Sequence, residues 1–252
     1  IDLMSALPGQ SPEAYENGLF RILSLHPEHI SAYSLIIEEG TPFYDYYEEN
    51  KDIGIKLPPL PSEDDERLMY HRTKAILKSA GYERYEISNY AKKGFECRHN
   101  TAYWTRQDYL GLGLGAASMV GNVRFSNTSD FDTYIRQFGA GNKGDCTASL
   151  PSVQNAGSRP DGCKDFHISK ENLSVNAQME EFMFLGLRLT CGVSPETFKQ
   201  LFKNDIFDIY GSVIDRHMKD GTLIFKADSG CIALSEHGLD VSNMIMADFI
   251  LD

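Results

Sequence analysis

The chain has 252 residues, 42% of them hydrophobic and 24% charged, an ordinary globular composition with enough apolar side chains for one large or two modest cores. Its 24 basic and 36 acidic residues give a net charge of −12, which repels polyphosphate and anionic surfaces, and no local basic patch reverses that field. No stretch approaches the roughly 20 apolar residues needed to span a bilayer, so the expectation is a soluble, cytoplasmic protein with no nucleic-acid partner and no integral membrane segment.

The chain opens Ile1-Asp2-Leu3-Met4, without an initiating methionine or a basic leader, and is expected to begin inside a folding unit. Residues 1–37 read apolar run, turn, amphipathic helix, apolar run, which is one βαβ unit of a parallel sheet. The strands are expected over Ile1–Leu7 and Ile30–Ile37, the second apolar enough for a sheet covered on both faces. Between them Pro8-Gly9-Gln10 makes the turn, and Ser11-Pro12 starts a helix with Tyr15, Leu19, Ile22 and Leu23 on one face.

After the proline-rich 57–61 segment, Ser62 and four acidic residues open a long helix with a stripe of Leu68, Ala75, Ile76 and Ala80, closed by Gly81. A short strand is expected over Tyr85–Ile87 and a helix over Phe131–Phe138. Gly, Ser, Asn, Asp and Pro crowd the next stretch, read as a loop or linker over 139–174. From Val175 three helices are expected, the first with Met179, Phe182, Met183 and Leu187 inward, the second starting at Ser194-Pro195, the third burying Ile209, Val213 and Ile214. Two short strands flanking Asp228-Ser229-Gly230 and a last helix from Glu236 to Phe249 complete a winged-helix outline. That outline alone would point to DNA, but residues 172–252 hold six Lys/Arg against twelve Asp/Glu, the wrong sign for a phosphate backbone.

The five cysteines, at 97, 146, 163, 191 and 231, show no Cys-x-x-Cys spacing and read as reduced thiols. Gly111-Leu112-Gly113-Leu114-Gly115 matches neither the dinucleotide nor the Walker fingerprint, so a phosphate loop is rejected. Cys97-Arg98-His99-Asn100-Thr101-Ala102-Tyr103-Trp104 concentrates an imidazole and stacking aromatics around the chain's one tryptophan. Such a group can ligate and flank a macrocycle, or it can simply be a helix start packed into a core.

Several of these segments together resemble one family. Asp2-Leu3-Met4 with Leu7-Pro8-Gly9-Gln10, His29-Ile30-Ser31 with Tyr33 and Leu35, Glu39-Gly40-Thr41, Glu86-Ile87-Ser88-Asn89-Tyr90-Ala91, His99-Asn100-x-x-Tyr103-Trp104 and the Tyr-Leu-Gly-x-Gly-x-Gly-Ala-x-Ser run over 109–118 are similar to motifs of the HemN/HemW radical-SAM family. That family comprises oxygen-independent coproporphyrinogen III oxidase and its heme-chaperone relative. The resemblance implies an α/β fold: the C-terminal part of a partial radical-SAM barrel over 1–138, the 139–174 linker, and a small winged-helix-like α+β domain over 175–252. It implies that Asp2, Met4, Tyr33 and Ile36 line an S-adenosylmethionine pocket, and that His99, Asn100, Tyr103 and Trp104 handle heme, with His99 as iron ligand. The Cys-x-x-x-Cys-x-x-Cys motif that would hold a [4Fe–4S] cluster is absent, so this chain is expected to do no radical chemistry. The His-Asn-x-x-Tyr-Trp motif favours a chaperone passing heme to acceptor proteins over the alternative, the oxidase; a homo-oligomer remains open.

Overall fold

The computed structural model describes residues 1–52, 54–138 and 167–251. The chain divides into two compact units, one of Ile1–Arg98 with Arg188–Cys191, the other of His99–Leu187 with Gly192–Asp252.

The first unit begins with β1 (Asp2–Ser5), α1 (Pro12–Leu23) and β2 (His29–Ser34), with β1 and β2 paired in parallel as expected. The turn between β1 and α1 closes on itself: Gln10 N donates to Leu7 O at 2.9 Å. Ser11 then caps α1 by accepting from Ala14 N, with Pro12 in the first turn where its missing N–H costs nothing. Next come α2 (Pro42–Tyr47), α3 (Glu63–Ser79), β3 (Glu83–Arg84) and β4 (Asn89–Ala91).

The sheet order is β1-β2-β4-β3, with β1 at an edge. Only β1 and β2 are parallel; β4 runs antiparallel to both β2 and β3, so the expectation of a parallel sheet holds for the first two strands alone. The strand expected over Tyr85–Ile87 gives way to β3 and β4 on either side of it. Glu86 makes a single bridge, to Leu189, and its carboxylate turns back onto Ser88 and Asn89, which interrupts the extended run.

One face of this sheet packs on the helices. Leu19, Ile30, Leu77, Tyr82 and Tyr90 form its core, with Leu3, Ile22, Leu23, Ala32 and Ile76 against it. The buried stripe of α3 is Met69, Thr73 and Leu77, one position on from Leu68 and Ile76 of the expected one and without Ala75 or Ala80. The shift follows from Thr73, whose hydroxyl donates to Met69 O at 2.7 Å and lies 2.8 Å from Tyr15 Oη. A buried polar residue with both needs met replaces the apolar residue that periodicity looks for. The opposite face is not covered as expected: Asp2, Met4 and Tyr33 are exposed on it.

The second unit starts with α4 (Arg98–Trp104), followed by β5 (Ala117–Val120), β6 (Val123–Asn127), α5 (Phe131–Phe138) and β7 (His167–Asn172). Strands β5, β6 and β7 make one antiparallel sheet with β6 central. Strand β7 falls within the stretch read as linker, while residues 139–166 lie outside the described residues. The helices α6 (Val175–Gly186), α7 (Pro195–Phe202) and α8 (Ile206–Lys219) and the hairpin β8 (Leu223–Lys226) with β9 (Cys231–Leu234) give the expected outline. Helix α8 buries Ile206, Tyr210, Ile214 and His217. The expected last helix is two, α9 (Glu236–Asp240) and α10 (Ser242–Ala247), because Val241 sits at φ −121° and ψ 27°, outside helical geometry. Among the described residues no helix is long and apolar enough to cross a membrane.

Among the described residues of this unit a buried carboxylate, Glu181 on α6, accepts from Arg106 Nε at 2.9 Å and from Arg124 Nη2 at 2.6 Å. Arg106 and Glu181 side chains are each 8% exposed, so loss of the carboxylate strands a guanidinium away from water. Glu181→Ala is expected to lower unfolding free energy by about 3 kcal/mol, read from urea denaturation.

Candidate functional site

Side chains alternate along a strand, and directly paired residues send theirs to the same face. The register Asp2↔Ser31 and Met4↔Tyr33 therefore puts these four on the face of the first unit's sheet that the helices leave open. Ser31↔Asn89 extends that face onto β4. Three residues expected to line a cofactor pocket, Asp2, Met4 and Tyr33, are thus brought together: a carboxylate, a thioether and a phenol. Ile36 is not among them, since β2 ends at Ser34 and Ile36 lies beyond it, 76% exposed.

The same face carries polar groups to which the motif reading assigned no role. Glu86 is buried, and its Oε1 accepts from Ser88 N at 2.9 Å and from Asn89 Nδ2 at 2.5 Å. Arg188 Nη2 lies 3.8 Å from Glu86 Oε2, which keeps the carboxylate beside a cation. His29 Nε2 is 2.9 Å from Tyr85 Oη, which also accepts from Cys97 N at 3.3 Å. Burial holds the His29 imidazole below its ordinary value of 6.5, opposed by the carboxylates of Asp2 and Glu86. Burial also pushes the Tyr85 phenol up to about 12. The signal for Glu86 and Asn89 was the Glu-Ile-Ser-Asn-Tyr-Ala run itself, with Tyr85 immediately before it; what sequence could not supply was the side-chain partnership.

In the second unit α4 orders the expected heme residues by helical spacing. His99 and Tyr103 stand four apart, and their rings meet edge to face with centroids 4.7 Å apart. His99 is exposed, whereas Asn100, Tyr103 and Trp104 are half-buried. His99 lies inside the helix, one residue after its start, so it is neither a cap nor a core histidine.

Tyr109, which opens the glycine motif and was given no role there, continues the row: its ring lies 4.7 Å from that of Tyr103, again edge to face. No helical spacing links Tyr109 to Tyr103. Its place is set by the paired backbone bonds Tyr109 N to Met119 O, 2.8 Å, and Met119 N to Tyr109 O, 2.9 Å. The glycine run then turns against β5 so closely that a Cβ on Gly111 would sit 2.1 Å from Ala117 O. This is the close backbone packing expected of that run, not an anion cradle. Among the described residues no group of three or more His, Cys, Asp or Glu is placed to hold a metal ion.

Known proteins share this architecture. Residues 173–241 match the HemN C-terminal domain family. The heme chaperone HemW of Lactococcus lactis is 32% identical over 252 residues, all of this chain and 58% of that protein. The heme chaperone HemW of Bacillus subtilis is 32% identical over 250 residues, 99% of this chain and 58% of that protein. The solved coproporphyrinogen III oxidase HemN of Escherichia coli, described as a radical-SAM enzyme, superposes with a TM-score of 0.69 at 18% identity, over 99% of this chain and 54% of that one. The fold is therefore that of α/β proteins carrying an open sheet and an appended HemN-type helical domain. Within that class the chain belongs to the HemN/HemW family, and it spans 58% of the length of the two HemW relatives.

Two expected outcomes follow from the site. The folded His29 binds its proton less readily than the unfolded chain does, so its contribution is fully present above the ordinary value of 6.5 and is lost as pH falls through it toward the lower folded value. Urea titrations at pH 7 and pH 5 should show a smaller stability difference for His29→Gln than for wild type. Because His99 is exposed, His99→Ala should leave unfolding free energy within about 0.5 kcal/mol of wild type by the same method.

Proposed function

We propose that this chain is the heme-handling part of a HemW-like heme chaperone, with His99 as the iron ligand and Tyr103 and Trp104 beside the porphyrin. The observation that carries this is the exposed His99 imidazole, set edge-on against Tyr103 in the first turn of α4. Neutral imidazole is a common axial ligand of heme iron, and a ring held by a neighbouring aromatic surrenders less freedom on coordination. Asn100, half-buried on the same helix, can donate its amide to a polar edge of the cargo. The 32% identity to two heme chaperones along nearly the whole chain supports this reading. The oxidase has in its favour a similarity of fold at 18% identity.

The open face of Asp2, Met4 and Tyr33 fits S-adenosylmethionine in the chemistry of its groups: a carboxylate for hydroxyl or ammonium donors, and a thioether and a phenol for the adenine ring. Ile36 belongs to that pocket only if the loop after β2 folds over it. The [4Fe–4S] cluster of the complete protein would need ligands other than the described residues, none of which group to hold a metal. In this reading residues 1–138 are barrel wall and 175–252 the C-terminal domain, and cytoplasmic heme-accepting proteins receive the cargo.

Hemin titrated into the chain is expected to give a shifted Soret band that is lost or much weakened in His99→Ala. Cys97→Ser, two residues upstream, should leave the band unchanged, which separates imidazole from thiolate ligation. An identical spectrum for wild type and His99→Ala would sink the assignment of His99.

A further inference from the structure

Leu110, Leu112 and Leu114 are 55%, 84% and 46% exposed, three leucines at alternate positions in five residues. Single exposed leucines are ordinary; a contiguous set on an ordered backbone is not. This backbone is ordered. Gly111 N donates to Ser118 Oγ at 2.9 Å, Asn127 Nδ2 donates to Gly113 O at 2.8 Å, and Gly115 N donates to Thr128 O at 2.9 Å. Gly111 fits against Ala117 O with no space for a Cβ, and Gly113 at φ +102° takes a conformation that side chains rarely adopt. Backbone groups of the three glycines are thus held by β5, β6 and the residue after β6, and the side chains the loop offers to solvent are aliphatic.

The loop also starts where the aromatic row ends. His99, Tyr103 and Tyr109 follow one another at ring distances of 4.7 Å, and Leu110 is the next residue in the chain. An imidazole, two edge-set phenols and an apolar loop that follows the last of them in the chain belong to one unit. That sequence of chemistries suits a planar, largely apolar macrocycle with a metal at its centre: the imidazole takes the metal, and the hydrocarbon periphery requires aliphatic contact.

We infer that Leu110, Leu112 and Leu114 form the apolar platform on which the tetrapyrrole ring rests, independently of the iron. The inference rests on the heme-handling reading of His99, but it assigns different residues to a different part of the cargo. It makes the site competent for a porphyrin that has no metal.

Two probes separate the inference from the reading beneath it: hemin, and metal-free protoporphyrin IX, which cannot be ligated by His99. Affinities measured by fluorescence quenching and absorbance on the 252-residue chain should fall at least about tenfold for both probes in Leu112→Asp and in Leu114→Asp, since each substitution replaces an aliphatic contact with a charge. Leu201→Asp, at an exposed leucine on α7, should change neither. His99→Ala should weaken hemin alone. If wild type fails to bind metal-free protoporphyrin, or if the Leu112 and Leu114 variants bind it as wild type does, the platform is overturned, whatever His99→Ala does to hemin. If hemin binding is indifferent to His99→Ala while the leucine variants lose both probes, the platform stands and the iron ligand is elsewhere. Sedimentation velocity supplies the remaining arm: a dimer abolished by Leu112→Asp, with porphyrin affinity unchanged, would give this surface to a second copy of the chain and overturn the inference.

Discussion

The carboxylate of Glu181 is the constraint on which the second unit depends. It joins three pieces of backbone distant in sequence: Arg106 just after α4, Arg124 on β6, and its own helix α6. Arg106 reaches it from a left-handed conformation, φ +53°, and through Nη2 donates to Asn122 Oδ1 at 3.1 Å in the β5–β6 turn. The helix that presents His99 and Tyr103 is thereby tied to the sheet that positions Tyr109. A buried carboxylate shared by two guanidiniums is an expensive way to hold parts together, and apolar substitutes often do as well energetically. What it adds is direction: each bond fixes an orientation that a hydrophobic contact would leave loose.

The first unit obeys a different logic. Its sheet has one face sealed by α1 and α3 and one face left to polar groups and exposed side chains. Glu86, Asn89 and Arg188 occupy that second face as a charged cluster, with His29 and Tyr85 beside it. The same four strands therefore serve as a hydrophobic scaffold on one side and carry the candidate site on the other. The alternation of residues along β1 and β2 is what separates the two roles.

Much of this was legible in the residues. Ser11, Ser62 and Ser194 cap helices where their positions before Pro12, Glu63 and Pro195 say they should, because a cap is a local hydrogen bond. The hairpin around Asp228-Ser229-Gly230 and the bounds of α5 were equally readable. Failures came where a distant partner decides. Thr73 displaces the stripe of α3 because Tyr15 awaits it, fifty-eight residues away. Glu181 sits between Met179 and Met183 in a buried helix, where periodicity reads a solvated charge. Strand β4 runs antiparallel because of how the chain re-enters after Glu86, which no alternation pattern encodes. At the site, the His-Asn-x-x-Tyr-Trp resemblance picked out His99 and Tyr103 but gave no role to Tyr109, which joins them by sheet pairing.

Strand β1 is four residues long and is aligned with β2 through Asp2↔Ser31, Leu3↔Ala32, Met4↔Tyr33 and Ser5↔Ser34. A slip of one residue in that alignment would carry Leu3 onto the open face and turn the Asp2 carboxylate toward Leu19, Ile30 and Leu77. Burial of an unpaired carboxylate is costly, so the charge of Asp2 selects the alignment of the strand that carries it.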